Sequence, residues 1–337
     1  MEDELKDFLL FCSEISFGEI DLREAEREFC RELNRQVLSL CKSLPESVQN
    51  DAAVFLLRYA RVSFEEELSF FKNYYVPSWS IIYWLANFED DERTLSRECV
   101  SDAITAHSMA MLLHSLDDHL NDGEMEVTHL NLLLRSQAWL MMSVSFNRLA
   151  DEVSAGKEIV RQHLDDYYSG VCCSQGAESL DGYCTLFRKQ MATGMIVPAL
   201  LTRKLTAEKE FTTAVLKAYG SFGIAWRLLD DINDIEKDMT KGTRSSVYLC
   251  LPENIRNYWG GNNAKGADPG AGSHKVVLDY VLENGVIKTM SERICKELES
   301  AASLAEAHHL TGWADEFRCL MRPLKNIPNP HEKRHPE

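Results

Sequence analysis

Glycine and proline are sparse over the first 250 residues of this 337-residue chain, and β-branched residues rarely alternate with polar ones. Both shortages argue against strands and favour helices. The ten cysteines, from Cys12 to Cys319, contain no C-x-x-C pair. Adjacent Cys172 and Cys173 suit neither a zinc site nor an easy disulfide, so reduced thiols in a cytoplasmic protein are expected. The opening MEDELKDFLLFC lacks the basic region of a secretory signal. The longest uncharged run near that end, Asn73 to Phe88, has 16 residues and includes Pro77 and two asparagines. It is too short and too polar to span a membrane. Positive charge is also in deficit: 36 Lys and Arg stand against 53 Asp and Glu, a net charge of −17. Such a chain is repelled by phosphate backbones, so no nucleic-acid partner is expected.

Apolar residues make up 45% of the chain, enough for a sizeable core. Three- and four-residue apolar spacing predicts two or three helices in residues 1–70. Buried helices are expected at 79–88 and 100–118, and further ones through "LLLRSQAWLMMSVSFNRLADEV" and "IVRQHLDDYYSGVCCSQG". Gly194 and Pro198 predict a break in the helical stretch after Tyr183. One long helix is predicted over 208–238, a surface loop over 257–274 and two helices within 275–323. With no repeat and no clean linker, the chain reads as one all-α domain over 1–325, followed by a disordered tail at 326–337.

Two apolar helical runs end in acid. "LLHSLDDHLNDGE" (Leu112–Glu124) carries Asp117, Asp118, Asn121, Asp122 and Glu124, and "FGIAWRLLDDINDIEKD" (Phe222–Asp238) carries Asp230, Asp231, Asp234 and Asp238. Residues four apart share a helix face, so Asp230, Asp234 and Asp238 form one acidic stripe and Asp117 with Asn121 another. Like charges on one face repel, which costs stability unless a cation binds them. Carboxylate oxygens suit Mg2+, a hard ion that commonly bridges to phosphates. Solvated helix ends would explain either cluster alone. Two of them, each after an apolar run, point to several Mg2+ ions around a diphosphate.

"LHSLDDHLND" and "YGSFGIAWRLLDDINDIEKDMTKG" resemble the two aspartate-rich motifs of class I isoprenoid synthases, nearest the trans-prenyl diphosphate synthases. The resemblance spans roughly residues 50–320. The second motif is the more specific, with Tyr219, Gly220, Gly223, Ala225, Asp230, Asp231, Asp234 and Lys241. The first carries Asn121 where the family usually has Asp, with Asp122 one step later. The resemblance implies an all-α helical bundle around a deep apolar pocket with the motifs at its mouth, and a homodimer. It implies Mg2+, about three ions per site with diphosphate bound, held by Asp117, Asp118, Asn121, Asp122, Asp230, Asp234 and Asp238. Asp117, Asp118, Asp230, Asp231 and Asp234 become the catalytic set. Arg188, Lys189, Arg227, Lys241 and Lys72 become diphosphate ligands, and Leu112, Leu113, Gln175 and Trp226 the pocket wall. In that chemistry the metals stabilise the departing diphosphate, and a dry pocket protects the allylic cation. Trp226, Tyr74, Tyr75, Tyr167 and Tyr168 could face that cation, or simply pack in the core.

The chain departs from the elongating members where they bind isopentenyl diphosphate. In "FFKNYYVPSW" (Phe70–Trp79) Lys72 and Pro77 match the family's G-G-K-x-x-R-P segment, but both Gly are Phe and Val76 stands in place of Arg. No Arg follows the first motif until Arg135, and Trp226-Arg227 replaces the usual Phe-Gln. A second anion needs the bidentate forks that arginine supplies. The leading expectation is therefore Mg2+-dependent ionisation of a prenyl diphosphate, with cyclisation or elimination to a terpene. Leu112 and Leu113 supply no aromatic plug, which favours a C15 or C20 substrate. The alternatives are a polyprenyl diphosphate synthase using isopentenyl diphosphate, prenyl transfer to an indole or peptide acceptor, and a non-catalytic subunit of a prenyl synthase.

Overall fold

Apolar residues at helical spacing fold as helices throughout, and no strand occurs among the described residues. The structure is a computed structural model that describes residues 2–61, 69–71, 74–88, 94–172, 176–206, 208–261 and 271–327. Three helices come first: α1 (Glu2–Glu14), α2 (Glu24–Lys42) and α3 (Glu46–Tyr59). The middle of the chain forms α4 (Pro77–Ala86), α5 (Arg97–Asn121), α6 (His129–Asp151) and α7 (Gly156–Val171). Then follow α8 (Leu180–Gln190), α9 (Ala192–Leu205), α10 (Lys209–Asn233) and α11 (Ile235–Lys241). The last stretch holds the short α12 (Ser246–Cys250) and α13 (Glu253–Arg256), then α14 (Ala271–Glu283), α15 (Val286–Ala307) and α16 (Thr311–Met321). No helix among the described residues is long and apolar enough to cross a membrane.

Side-chain caps set several starts. Ser96, Thr128 and Ser179 accept the N–H of Cys99, Asn131 and Gly182, which fixes the first turns of α5, α6 and α8. The first acidic cluster lies at the C-terminal end of α5, and the second begins in the last turn of α10 and runs on into α11; both helices bury long apolar stretches. One apolar cluster runs from Phe8 on α1 to Leu324 beyond α16. In it α10 packs on α15, α15 on α16, and α5 on α6.

Three expectations about elements need correction. The break after Tyr183 falls at Met191, between α8 and α9, rather than at Gly194, and Pro198 sits inside α9. Gly223 on α10 lies against that joint: a Cβ there would come within 2.1 Å of the Met191 sulfur, so the methionine tip would have to swing aside. The helix predicted over 208–238 divides at Asp234, although the Asp234 and Asp238 N–H groups still bond four residues back, at 2.9 and 2.8 Å. Asn233 donates to the Cys12 and Ile15 carbonyls and pins the joint to the end of α1. Three helices, not two, occupy 271–321, divided by left-handed residues at Gly285 and His309. Most of the loop predicted at 257–274 and of the tail predicted at 326–337 lies outside the described residues.

Glu316 on α16 is 3% exposed, bonded by the Ser80 hydroxyl and, at 2.7 Å, by the Trp84 indole N–H. Burial pushes its carboxyl up to about 8 from an ordinary 4.5. The folded chain then holds a proton that the unfolded chain has released, so stability should fall as pH rises across that window. Glu316→Gln should flatten the decline and melt about 5 °C above the parent at pH 9. Thermal melts from pH 5 to 9 check this; parallel curves for the two proteins would refute it.

Candidate active site

Helical spacing on α5 turns Ala110, Met111, His114, Asp117, Asp118 and Asn121 to one side. On α10 it turns Tyr219, Phe222, Trp226, Arg227 and Asp230 to meet them. Between the two helix ends lies a cavity of about 620 Å3, with Tyr167 and Tyr168 of α7 and Tyr183 and Phe187 of α8 as side walls. Trp226 forms its floor, with ring centres 5.9 Å from His114, 5.8 Å from Tyr74 and 6.4 Å from Phe187. Beneath these rings Met111, Gly194, Tyr219 and Phe222 line a second, smaller space of about 30 Å3. His114 and Trp226 line both spaces, so the expected deep pocket narrows at the Trp226 layer. Leu112 and Leu113 are each 3% exposed and line neither space, because they fall between the cavity-facing positions of α5.

The carboxylates divide by environment. Asp117, Asp118, Asn121, Asp122 and Asp230 line the cavity. Asp117 receives a two-point bond from Arg135 (Nε to Oδ1 2.6 Å, Nη2 to Oδ2 2.9 Å), and the Tyr167 hydroxyl donates to Oδ2 at 3.2 Å. Asp230 is 48% exposed along its side chain and lies 3.2 Å from Arg227 Nη1. Desolvation, then Asp231, Asp234 and Asp118, push its carboxyl up to about 6 against the pull of Arg227.

Asp231 is 1% exposed and fully engaged. Arg227 Nη2 reaches it at 2.9 Å, the Tyr183 hydroxyl at 3.1 Å and the Ser246 N–H at 2.8 Å. Adjacent residues point about 100° apart on a helix, so Asp230 faces the cavity while Asp231 faces the core. Asp231 thus bonds within the core and does not line the cavity, where the motif implied a place among the catalytic carboxylates. Asp234 lies 3.2 Å from Lys237 and does not line the cavity. Asp238 is turned inward, 7% exposed, with Oδ2 lacking a hydrogen-bond partner. Burial, then Asp231, push its carboxyl up to about 7. The joint at Asp234 has carried it off the stripe.

The predicted diphosphate ligands scatter. Arg227 lines the cavity. Lys241 lies 3.4 Å from Glu124 of the α5–α6 connection, which also holds Lys237 at 3.0 Å. Arg188 and Lys189 are exposed at the end of α8 and do not line the cavity, which Leu186, Phe187 and Gln190 of that helix do. Lys72 and Gln175 lie outside the described residues. The role of Arg135 escapes the motifs. Its signal is positional: Asp117 is in the last turns of α5 and Arg135 in the second turn of α6, so an antiparallel hairpin brings them level. Tyr183, eight residues before the Met191 joint, has no comparable signal.

Among the described residues no three Asp, Glu, His or Cys side chains converge into a metal-holding group. The donor chemistry nonetheless fits a hard cation, since the cavity's acidic rim offers only carboxylate and amide oxygens.

No family model matches the chain, and no curated protein matches it in sequence. Solved structures do match. Geranylgeranyl pyrophosphate synthase from Corynebacterium glutamicum is 13% identical, with a TM-score of 0.65 over 96% of this chain and 100% of its own. A decaprenyl diphosphate synthase from Rhodobacter capsulatus is 12% identical, with a TM-score of 0.64 over 90% of this chain and 98% of its own. The Corynebacterium glutamicum geranylgeranyl pyrophosphate synthase complexed with isoprenyl diphosphate and magnesium is 14% identical, with a TM-score of 0.50 over 90% and 98%. At such identities the likeness establishes the fold: the chain has the all-α fold of these prenyl synthases, as the aspartate motifs led one to expect.

Proposed function

We propose that the chain is a prenyltransferase that binds an allylic prenyl diphosphate in the cavity between α5 and α10 and transfers the prenyl group to isopentenyl diphosphate. The observation that carries this reading is the pair of acidic helix ends facing one another over an aromatic floor. It is supported by a fold shared with prenyl synthases, one of them in complex with isoprenyl diphosphate and magnesium. Asp117, Asp118, Asn121, Asp122 and Asp230 would hold Mg2+, with Asp234 reaching it by a small shift at the α10–α11 joint. When bound, the metal supplies the positive charge that stabilises the departing diphosphate. Arg227 orients that diphosphate from the α10 side. Trp226, Phe187 and His114 exclude water beneath it and offer ring faces to positive charge developing on the allyl group. A chain longer than the cavity admits requires the Trp226 layer to part.

A second reading, terpene formation without isopentenyl diphosphate, is favoured by one observation. The Arg and Lys side chains lining the cavity among the described residues are Arg135 and Arg227, and each already holds a carboxylate. Labelled farnesyl and geranylgeranyl diphosphates with Mg2+, each with and without isopentenyl diphosphate, separate the readings. Longer diphosphates are expected from elongation and hexane-extractable hydrocarbons from terpene formation. Absence of turnover with every combination would refute both. A homodimer is part of the proposal, supported by the exposed Leu132, Leu140 and Val144 along one face of α6. A monomer mass by light scattering would count against it.

A further inference from the structure

We propose that Arg135 is the resident counter-ion of Asp117, which keeps the metal-free cavity charge-paired and passes to the diphosphate when metal enters. The proposal rests on the metal and diphosphate reading above, which it deepens by naming the residue that links the two ligands.

Arg135 grips Asp117 through both carboxylate oxygens, at 2.6 and 2.9 Å, with the near-parallel two-point geometry that makes guanidinium–carboxylate pairs strong. Tyr167 adds a third bond to the same carboxylate. A divalent cation brought to those oxygens would meet a full positive charge already in place, so the arginine must leave before Asp117 can bind metal. The two cavity arginines are not alike in this respect. Arg227 is held by Asp230, by buried Asp231 and by Tyr183 at once. Arg135 has Asp117 as its carboxylate partner, at a site where both side chains keep partial contact with solvent. Its other neighbour is Trp139 one turn along α6, with the guanidinium carbon 5.7 Å from the ring centre. Arg135 is thus the arginine that can be released, and it lines the cavity the diphosphate would occupy.

The consequence is a linkage. Metal alone must break the Arg135–Asp117 pair with no compensation. Metal with diphosphate offsets the loss, because the freed guanidinium gains an anion suited to its fork. Arg135 should therefore weaken metal-only binding and strengthen the coupling between metal and diphosphate.

The test uses Mn2+ as the metal probe, followed by electron paramagnetic resonance, with and without inorganic pyrophosphate. Arg135→Gln should bind Mn2+ alone about tenfold more tightly than the parent, and the enhancement that pyrophosphate gives should shrink about tenfold. Arg135→Lys, which keeps the charge and loses the fork, should fall between. Trp139 emission should change when Mn2+ and pyrophosphate bind together, and Trp139→Phe identifies that signal among the six tryptophans. Unchanged or weaker Mn2+ binding in Arg135→Gln, or undiminished coupling, would overturn the proposal, as would unfolding of both variants. Asp117→Asn, run in parallel, separates the failures. If it abolishes Mn2+ binding while Arg135→Gln behaves as the parent, the counter-ion role alone is lost. If the parent binds no Mn2+ even with pyrophosphate, the metal reading and this proposal fall together.

Discussion

Replacing Asp230 with asparagine is expected to cut turnover at least a hundredfold while leaving the metal-free protein as stable as before, or more so. The two effects have one cause. Asp230 stands at the C-terminal end of α10, where the helix dipole is itself negative. The wall at its back, with Asp231, Asp234 and Asp118 beyond, pushes its carboxyl up to about 6, and Arg227 at 3.2 Å only partly offsets this. A carboxyl held above its ordinary value binds its proton more tightly in the folded chain, so its ionised form works against the fold above about pH 6. A protein designed for stability alone would not keep a carboxylate there. Asparagine preserves the shape and removes the charge. Steady-state turnover with an allylic diphosphate and Mg2+, read beside a metal-free thermal melt, tests both halves. Near-normal turnover would sink the metal-site reading, and a large drop in melting temperature would mean that Asp230 is structural.

The two helix ends were legible because their signals are local. An apolar run long enough to bury a helix on every side, closed by acid, identifies α5 and α10 without any partner, and the aspartate motifs carried the fold with them. What misled was orientation, which depends on packing. Counting back from Asp117 in steps of three and four arrives at His114, Met111 and Ala110 and never at Leu112, but a step of four also reaches Leu113, which spacing alone could not exclude. Asp238 could not: a uniform helix keeps it in line with Asp230 and Asp234, and the joint that turns it inward is pinned by Asn233 to carbonyls more than two hundred residues away. The break at Met191 was hidden for a similar reason. Its sequence gives no breaker, and Gly223 matters only once α10 lies against it. Arg135 stayed outside the motif reading because its partner is on the neighbouring helix rather than in its own segment.

Replacing Asp231, by contrast, is expected to damage the fold before it damages the chemistry. Asp231→Asn should cost about 3–5 kcal/mol, the range for removing one partner of a buried ion pair. In a chain of this size that corresponds to a melting temperature lower by about 10 °C. The side chain is 1% exposed and joins three segments: α10 through Arg227, α8 through Tyr183, and the start of α12 through the Ser246 N–H. An asparagine of the same shape carries no charge for Arg227, and its amide can turn an acceptor toward either Ser246 or Tyr183 but not toward both. Arg227 would then keep Asp230, the carboxylate proposed to hold metal, as its one anionic partner beside the Tyr183 hydroxyl. Loss of turnover in Asp231→Asn should follow from that displacement, and it should be accompanied by the lowered melting temperature that Asp230→Asn lacks. Side-by-side melts of the two variants decide the matter. If Asp231→Asn melts within about 2 °C of the parent, the buried pair contributes little, and the two adjacent aspartates share the role their motif implied.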